Sequence, residues 1–180
     1  EKDLRGQRFA IEHADLPTPH SMALMEKLQV VASIQPSMLT TAPAVLLDQL
    51  GPQRAAMFLP YQTYRKHGIV MAGGSDAPAF EVNPFHGIWS VVTRRVRTAD
   101  KVVAPEQVMS VEDALRIYVQ GGAYLTFEET KKGSIEPGKF ADFAVLDADI
   151  MTIDVEKIPD IKPVLTLVGG KVVYDAAAKP

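Results

Sequence analysis

Cysteine is absent from the 180 residues. That excludes a disulfide framework, a thiolate nucleophile and a cysteine-held zinc, and leaves histidine and carboxylate to hold any metal. No apolar run approaches the ~20 residues that span a bilayer, so no membrane partner is expected. Charge of one sign is not in excess either: 19 basic and 22 acidic residues give a net charge of −3. They are mixed along the chain, and without a basic stripe nucleic acid is not an expected partner. Low-complexity tracts and internal repeats are missing.

What is present has the profile of a globular protein, with 47% hydrophobic and 23% charged residues, and predicts one domain with a small appendage. The opening EKDLRGQRFA has no secretory signal. The first residue is Glu1, not methionine, so an upstream portion is expected, with a cytoplasmic location favoured.

Local patterns predict alternating strands and helices. "RFAIEHAD" (8–15) is a short strand around Ile11 that ends in His13 and Asp15. "TPHSMALMEKLQ" (18–29) is a helix with Thr18 as N-cap, Pro19 at the first position, and Met22, Met25 and Leu28 at helical spacing. "VVASIQPS" (30–37) is a second strand stopped by Pro36, and 52–68 is mostly helical, closing on Gly68. "IVMAGGSD" (69–76) is a third strand. Its apolar residues are continuous, as a parallel strand covered on both faces requires. Helices are expected over 83–96 and 110–126, the second capped by Ser110 and striped by Val111, Ala114, Leu115, Tyr118 and Val119. Beyond residue 127 the chain turns to glycine-punctuated strands, 133–149 and a hairpin over 164–175 turned at Gly169–Gly170.

In parallel α/β folds the carboxyl ends of strands face the ligand site, so His13, Gln35 and Asp76 would converge. Each has two readings. Asp76 is a turn-capping aspartate or a metal ligand and general base, with Gly73 and Gly74 permitting close approach. His13 is a packed or surface histidine, or a ligand, since neutral imidazole with carboxylate is a common zinc set. Gln35 is a turn residue beside Pro36 or a hydrogen-bond donor to a substrate carbonyl. His86 is packed or lines a substrate pocket. His20 is expected on a helical surface, His67 at a helix end where a cation suits the dipole, Arg94 and Arg95 on a solvated face, and Phe85 and Trp89 in the core.

"RFAIEHAD", "VVASIQPS", "IVMAGGSDAP", "NPFHGIWSVVTRR", "SVEDALRIYVQGGAYLT", "GSIEPGKFADFAVLD" and "VLTLVGGKVVY" together, in this order, resemble the metal-dependent amidohydrolases of the amidohydrolase-3 or YtcJ-like branch. The resemblance covers nearly the whole chain.

It implies an α/β fold: residues 1–127 would be the C-terminal portion, about three strands, of a (β/α)8 TIM barrel. Residues 128–180 would be the C-terminal share of a composite β-sandwich. It implies that His13 binds metal and that Asp76 binds metal and shuttles the proton. A divalent metal is the expected cofactor, zinc for preference, as one or two ions. Further ligands are expected outside this chain, because the family's first-, fourth- and fifth-strand ligands have no counterpart here. The substrate would be a small amide-like molecule cut at a carbon–nitrogen bond, with Gln35 and His86 in contact with it. A deaminase or cyclic-amide hydrolase using the same site, and a non-catalytic scaffold, are the alternatives. The missing N-terminal part is the expected partner, a homodimer a further one. The 180 residues alone are expected to be inactive and to aggregate through uncovered strand edges and helix faces.

Overall fold

A computed structural model describes residues 3–41, 44–97 and 100–178. Strands β1 (Ala10–Glu12), β2 (Val31–Ile34) and β3 (Met71–Gly73) form a parallel sheet in that order. The strands are shorter than the apolar runs that carry them. Pro36 ends β2 and Ser37 already begins helix α2 (Ser37–Thr41). In β2 all four residues are buried, as the continuous pattern requires, whereas β1 lies at the sheet edge with all three exposed.

Helix α1 (Pro19–Leu28) connects β1 to β2. Thr18 and Ser21 cap it reciprocally, Pro19 supplies a preset φ, and Met22 and Met25 face the core. Between β2 and β3 the chain adds α3 (Ala44–Ala56), kinked where Gly51 (φ 72°) precedes Pro52, and the short α4 (Tyr61–Lys66). Sequence periodicity merges these two, but the chain breaks at 57–60, where Leu59 adopts φ 50°.

After β3, α5 (Pro84–Thr93) starts at Asn83, whose side chain accepts from the Phe85 N–H at 3.0 Å. Phe85, Gly87, Ile88, Trp89, Ser90 and Val91 are buried, so this helix is enclosed rather than half-solvated. It stops at Arg94 in the left-handed region, and a two-stranded hairpin of β4 (Arg95–Val96) and β5 (Lys101–Val102) follows, where a continued helix was expected.

The helix expected over 110–126 begins at Ser110, whose Oγ accepts from the Asp113 N–H. It runs as α6 (Val111–Arg116), a π turn (Ile117–Gly121) and α7 (Gly122–Leu125). The wider turn advances the helix face by a residue. Ile117 is therefore buried while Val119 is half exposed, and Gly121 lands on β3. A Cβ on Gly121 would stand 2.0 Å from the Met71 carbonyl oxygen. The Tyr118 ring lies against Gly73 and its hydroxyl against Gly87, locking β3 to α5.

The last segment carries an antiparallel sheet of β6 (Phe143–Leu146), β7 (Pro163–Val168) and β8 (Lys171–Asp175). Gly169 (φ 57°) and Gly170 (φ 78°) make the hairpin turn between β7 and β8. Phe85 and Ile88 of α5, with Phe140, Phe143, Val145 and Leu167, border an apolar groove of about 710 Å³.

Candidate metal centre

Parallel pairing in register carries all three chain continuations to one end of the sheet, where His13 follows β1, Gln35 follows β2 and Asp76 lies three residues beyond β3. β1 and β3 flank β2, so their ends stand two strand spacings apart, ~9.6 Å. The side chains close that gap. His13 Nε2 lies 4.0 Å from Asp76 Oδ2, over the end of β2, each side chain a little under half exposed.

Both residues reach inward because the backbone departs from the strand conformation at each: φ is 67° at His13, 44° at Ala14 and 57° at Asp76. Aspartate and histidine tolerate this region better than most residues, whereas the alanine after His13 needs external support. That support is present. The Ala14 carbonyl accepts the Tyr64 hydroxyl hydrogen bond, and the Asp15 carbonyl accepts the Leu59 N–H at 2.8 Å.

The turn after β3 does not use the Asp76 carboxylate as a cap. Ser75 Oγ accepts from the Ala77 N–H at 3.3 Å, and the main-chain carbonyl of Asp76 accepts from Ala79 at 2.9 Å. Among the described residues no hydrogen bond engages the carboxylate, which leaves both its oxygens available. His13 Nδ1 is buried without a hydrogen-bond partner among them.

Two atoms bound to one ion at ~2.0–2.2 Å are at most ~4.3 Å apart. The 4.0 Å between His13 Nε2 and Asp76 Oδ2 is within reach of one divalent cation, ~0.6 Å wider than the ~3.4 Å between two ligands of a tetrahedral ion, and is too long for a hydrogen bond. Imidazole with carboxylate is also a donor set suited to zinc. No group of three or more His, Cys, Asp or Glu able to hold a metal occurs among the described residues.

Gln35 is 5% exposed and its Oε1 is buried without a hydrogen-bond partner among the described residues. Its Nε2 faces Gly74, where a Cβ would come within 3.9 Å, so Gln35 sits between the two outer strand ends. His86 lies in the first turn of α5, half-buried, and no described side chain hydrogen-bonds it. His20 is exposed on α1, and His67, at the end of α4, pairs with Glu26 at 2.7 Å. Phe85 and Trp89 are buried in the core.

Arg95 is partly exposed and pairs with Glu156 at 3.2 Å. Arg94 is not solvated: it is fully buried and donates to three carbonyl oxygens. Its left-handed backbone (φ 52°) turns the side chain inward just as the helix ends. Burial pulls its guanidinium below the ordinary value, opposed by Tyr61 and Glu106. Burial likewise pushes the Tyr61 phenol up to about 12, opposed by the Arg94 charge. Across the β1–β2 register, Glu12 Oε2 accepts the Ser33 hydroxyl at 2.6 Å.

The sequence profile described as "Amidohydrolase family" matches residues 1–174. The putative amidohydrolase YtcJ of Bacillus subtilis is 28% identical over 174 residues, covering 94% of this chain and 32% of that protein. A solved uncharacterized metal-dependent hydrolase from Pyrococcus furiosus superposes with TM-score 0.65 at 26% identity, over 79% of this chain and 29% of that one. An adenosine deaminase from Xanthomonas campestris, solved with bound zinc, shares the fold with TM-score 0.67 at 18% identity, over 96% of this chain and 38% of that one. The chain spans less than a third of the length of the curated relatives it matches. Among the described residues no helix is long and apolar enough to cross a membrane.

Proposed function

Since the chain belongs to the amidohydrolase family, we propose that it is part of a metal-dependent hydrolase of carbon–nitrogen bonds, amides of small molecules first among them. The observation that carries this reading is the approach of His13 Nε2 to within 4.0 Å of Asp76 Oδ2 at the carboxyl end of a parallel sheet. On this reading β1, β2 and β3 are three neighbouring strands of a (β/α)8 barrel, with residues 1–127 in that barrel and residues 128–180 in a β-sandwich. The remaining metal ligands lie outside these 180 residues. Zinc in the Xanthomonas structure supports zinc as the ion.

His13 and Asp76 would hold the cation. When bound, a divalent ion lowers the pKa of water toward 7 and polarises a carbonyl. Asp76 takes the proton from the attacking water as the carbon–oxygen bond forms. It then delivers that proton to the departing nitrogen as the carbon–nitrogen bond breaks, so the carboxylate returns to its starting state. Gln35 Nε2 donates a hydrogen bond that orients the substrate carbonyl, and His86 borders the substrate.

The test is elemental mass spectrometry on the full-length protein, followed by assay against an acyclic amide, a cyclic amide and an aminated heterocycle before and after chelation. One or two zinc per chain with chelator-sensitive hydrolysis of at least one of these substrates is expected. Metal-independent turnover, or no metal bound, overturns the reading.

A further inference from the structure

Arg94 is fully buried, yet its hydrogen-bond partners are main-chain carbonyls rather than carboxylates. Nε donates to Val103 at 2.7 Å, Nη1 to Leu59 at 2.7 Å and Nη2 to Phe58 at 2.8 Å, and the guanidinium lies 5.2 Å from the centre of the Tyr61 ring. A buried cation with no ion pair among the described residues is costly, and an apolar side chain would fill the same volume more cheaply. What the guanidinium supplies instead is three donors in a fixed planar fork.

The fork closes on a left-handed leucine. Leu59 (φ 50°) is fully buried and uses both of its main-chain groups: its carbonyl accepts from Arg94, and its N–H donates to the Asp15 carbonyl. Five residues on, the Tyr64 hydroxyl takes the Ala14 carbonyl. The two carbonyls directly after His13 are thus both held by the 59–64 segment, and the start of that segment is held by Arg94. His13 and Ala14 are the two consecutive left-handed residues that aim the imidazole at Asp76. A strained turn of this kind persists only where its surroundings fix it.

The same helix end serves the neighbouring strand. Ser90, whose carbonyl accepts the Arg94 N–H at 2.8 Å, donates its hydroxyl to the Pro36 carbonyl at 2.6 Å, next to Gln35. The loop carrying Asp76 runs directly into α5.

We infer that Arg94 is a positioning residue for the metal centre, acting through Leu59 and Tyr64 to hold the 13–15 turn that presents His13. This rests on the reading of His13 as a ligand. Removing the fork releases the turn toward ordinary backbone angles and swings Nε2 away from Asp76, so the metal is bound less tightly.

The experiment is a Zn(II) titration of the metal-free full-length protein against a chromophoric chelator, with thermal melting of the same samples. Arg94→Lys keeps the charge and loses the fork. Tyr64→Phe removes one hydroxyl from the far end of the strut. Ile150→Ala creates a cavity elsewhere in the core. Arg94→Lys and Tyr64→Phe are expected to weaken zinc binding about tenfold or more, as loss of a group orienting a ligand does, while Ile150→Ala lowers the melting temperature and leaves affinity unchanged. If Arg94→Lys does not fold, Tyr64→Phe decides. Wild-type affinity in the folded strut variants, with affinity lost in His13→Asn, overturns the positioning role alone. Wild-type affinity in His13→Asn overturns the ligand reading, and the role of Arg94 with it.

Discussion

His13 and Asp76 meet across β2 without either belonging to it: Nε2 and Oδ2 lie 4.0 Å apart over the end of the middle strand. Replacing the Asp76 carboxylate with an amide keeps its size and removes its basicity. Asp76→Asn in the full-length protein is expected to lower kcat by about 10²–10⁴-fold, the range for a proton-transfer group. Steady-state hydrolysis of an amide substrate measures it, and a loss under twofold removes Asp76 from the proton path.

Gln35 keeps a buried amide oxygen without a partner among the described residues. An orphaned buried acceptor costs ~1–3 kcal/mol, so an apolar replacement of similar volume relieves that cost. Gln35→Leu is expected to hold or raise the unfolding free energy while lowering kcat/KM about tenfold. Chemical denaturation with a kinetic assay checks both. Lowered stability with unchanged kcat/KM makes Gln35 a structural residue instead.

Arg8 lies just before β1, its guanidinium stacked 3.8 Å from the Tyr124 ring centre and paired with both Glu129 oxygens. The hydrogen bonds from Arg8 lead in holding the Glu129 carboxyl down at about 2, against an ordinary 4.5. A carboxyl depressed by folding stabilises fully above its unfolded pKa and loses that contribution as pH falls through the folded value. Thermal melts of wild type and Arg8→Met should therefore differ at pH 7 and converge between about pH 4.5 and pH 2. A gap that stays constant across that window would show that Arg8 acts through stacking and its hydrogen bond to the Tyr124 carbonyl rather than through Glu129.

Adjacent glycines give opposite results on substitution. A Cβ at Gly121 meets the Met71 carbonyl oxygen at 2.0 Å, whereas one at Gly122 meets nothing within 4 Å. Gly122→Ala is expected to stabilise by ~0.5–1 kcal/mol through helix propensity. Gly121→Ala is expected to cost at least ~1–3 kcal/mol as overpacking. Urea denaturation of both variants checks the contrast, and a neutral Gly121→Ala would mean that β3 and the π turn can slide apart.

Much of this was legible locally. Thr18–Pro19 and Ser110 mark helix starts by their own chemistry, Gly169–Gly170 marks a turn, and the unbroken apolar run at 69–72 marks a covered parallel strand. The order of strand ends then brings His13, Gln35 and Asp76 to one side. What stayed hidden is long-range or goes against propensity. Tyr64 reaches back 50 residues to Ala14, and left-handed angles at Ala14, Leu59 and Arg94 have no residue-type signal. Arg94, in "VVTRRV", reads as a solvated helical arginine, and only the αL turn at the helix end sends it into the core. The π turn is likewise silent, since its residues suit an ordinary helix.

That π turn makes the 110–126 helix a screw with one residue too many. Shortening it by one, for example at Gln120, would restore regular winding and leave everything after it in nearly the same phase, because the π turn has absorbed the extra residue, so the smooth Gly121 face stays on Met71. The segment therefore tolerates the loss of one residue but not of two: a second deletion, with no extra residue left to remove, would rotate all that follows by ~100°.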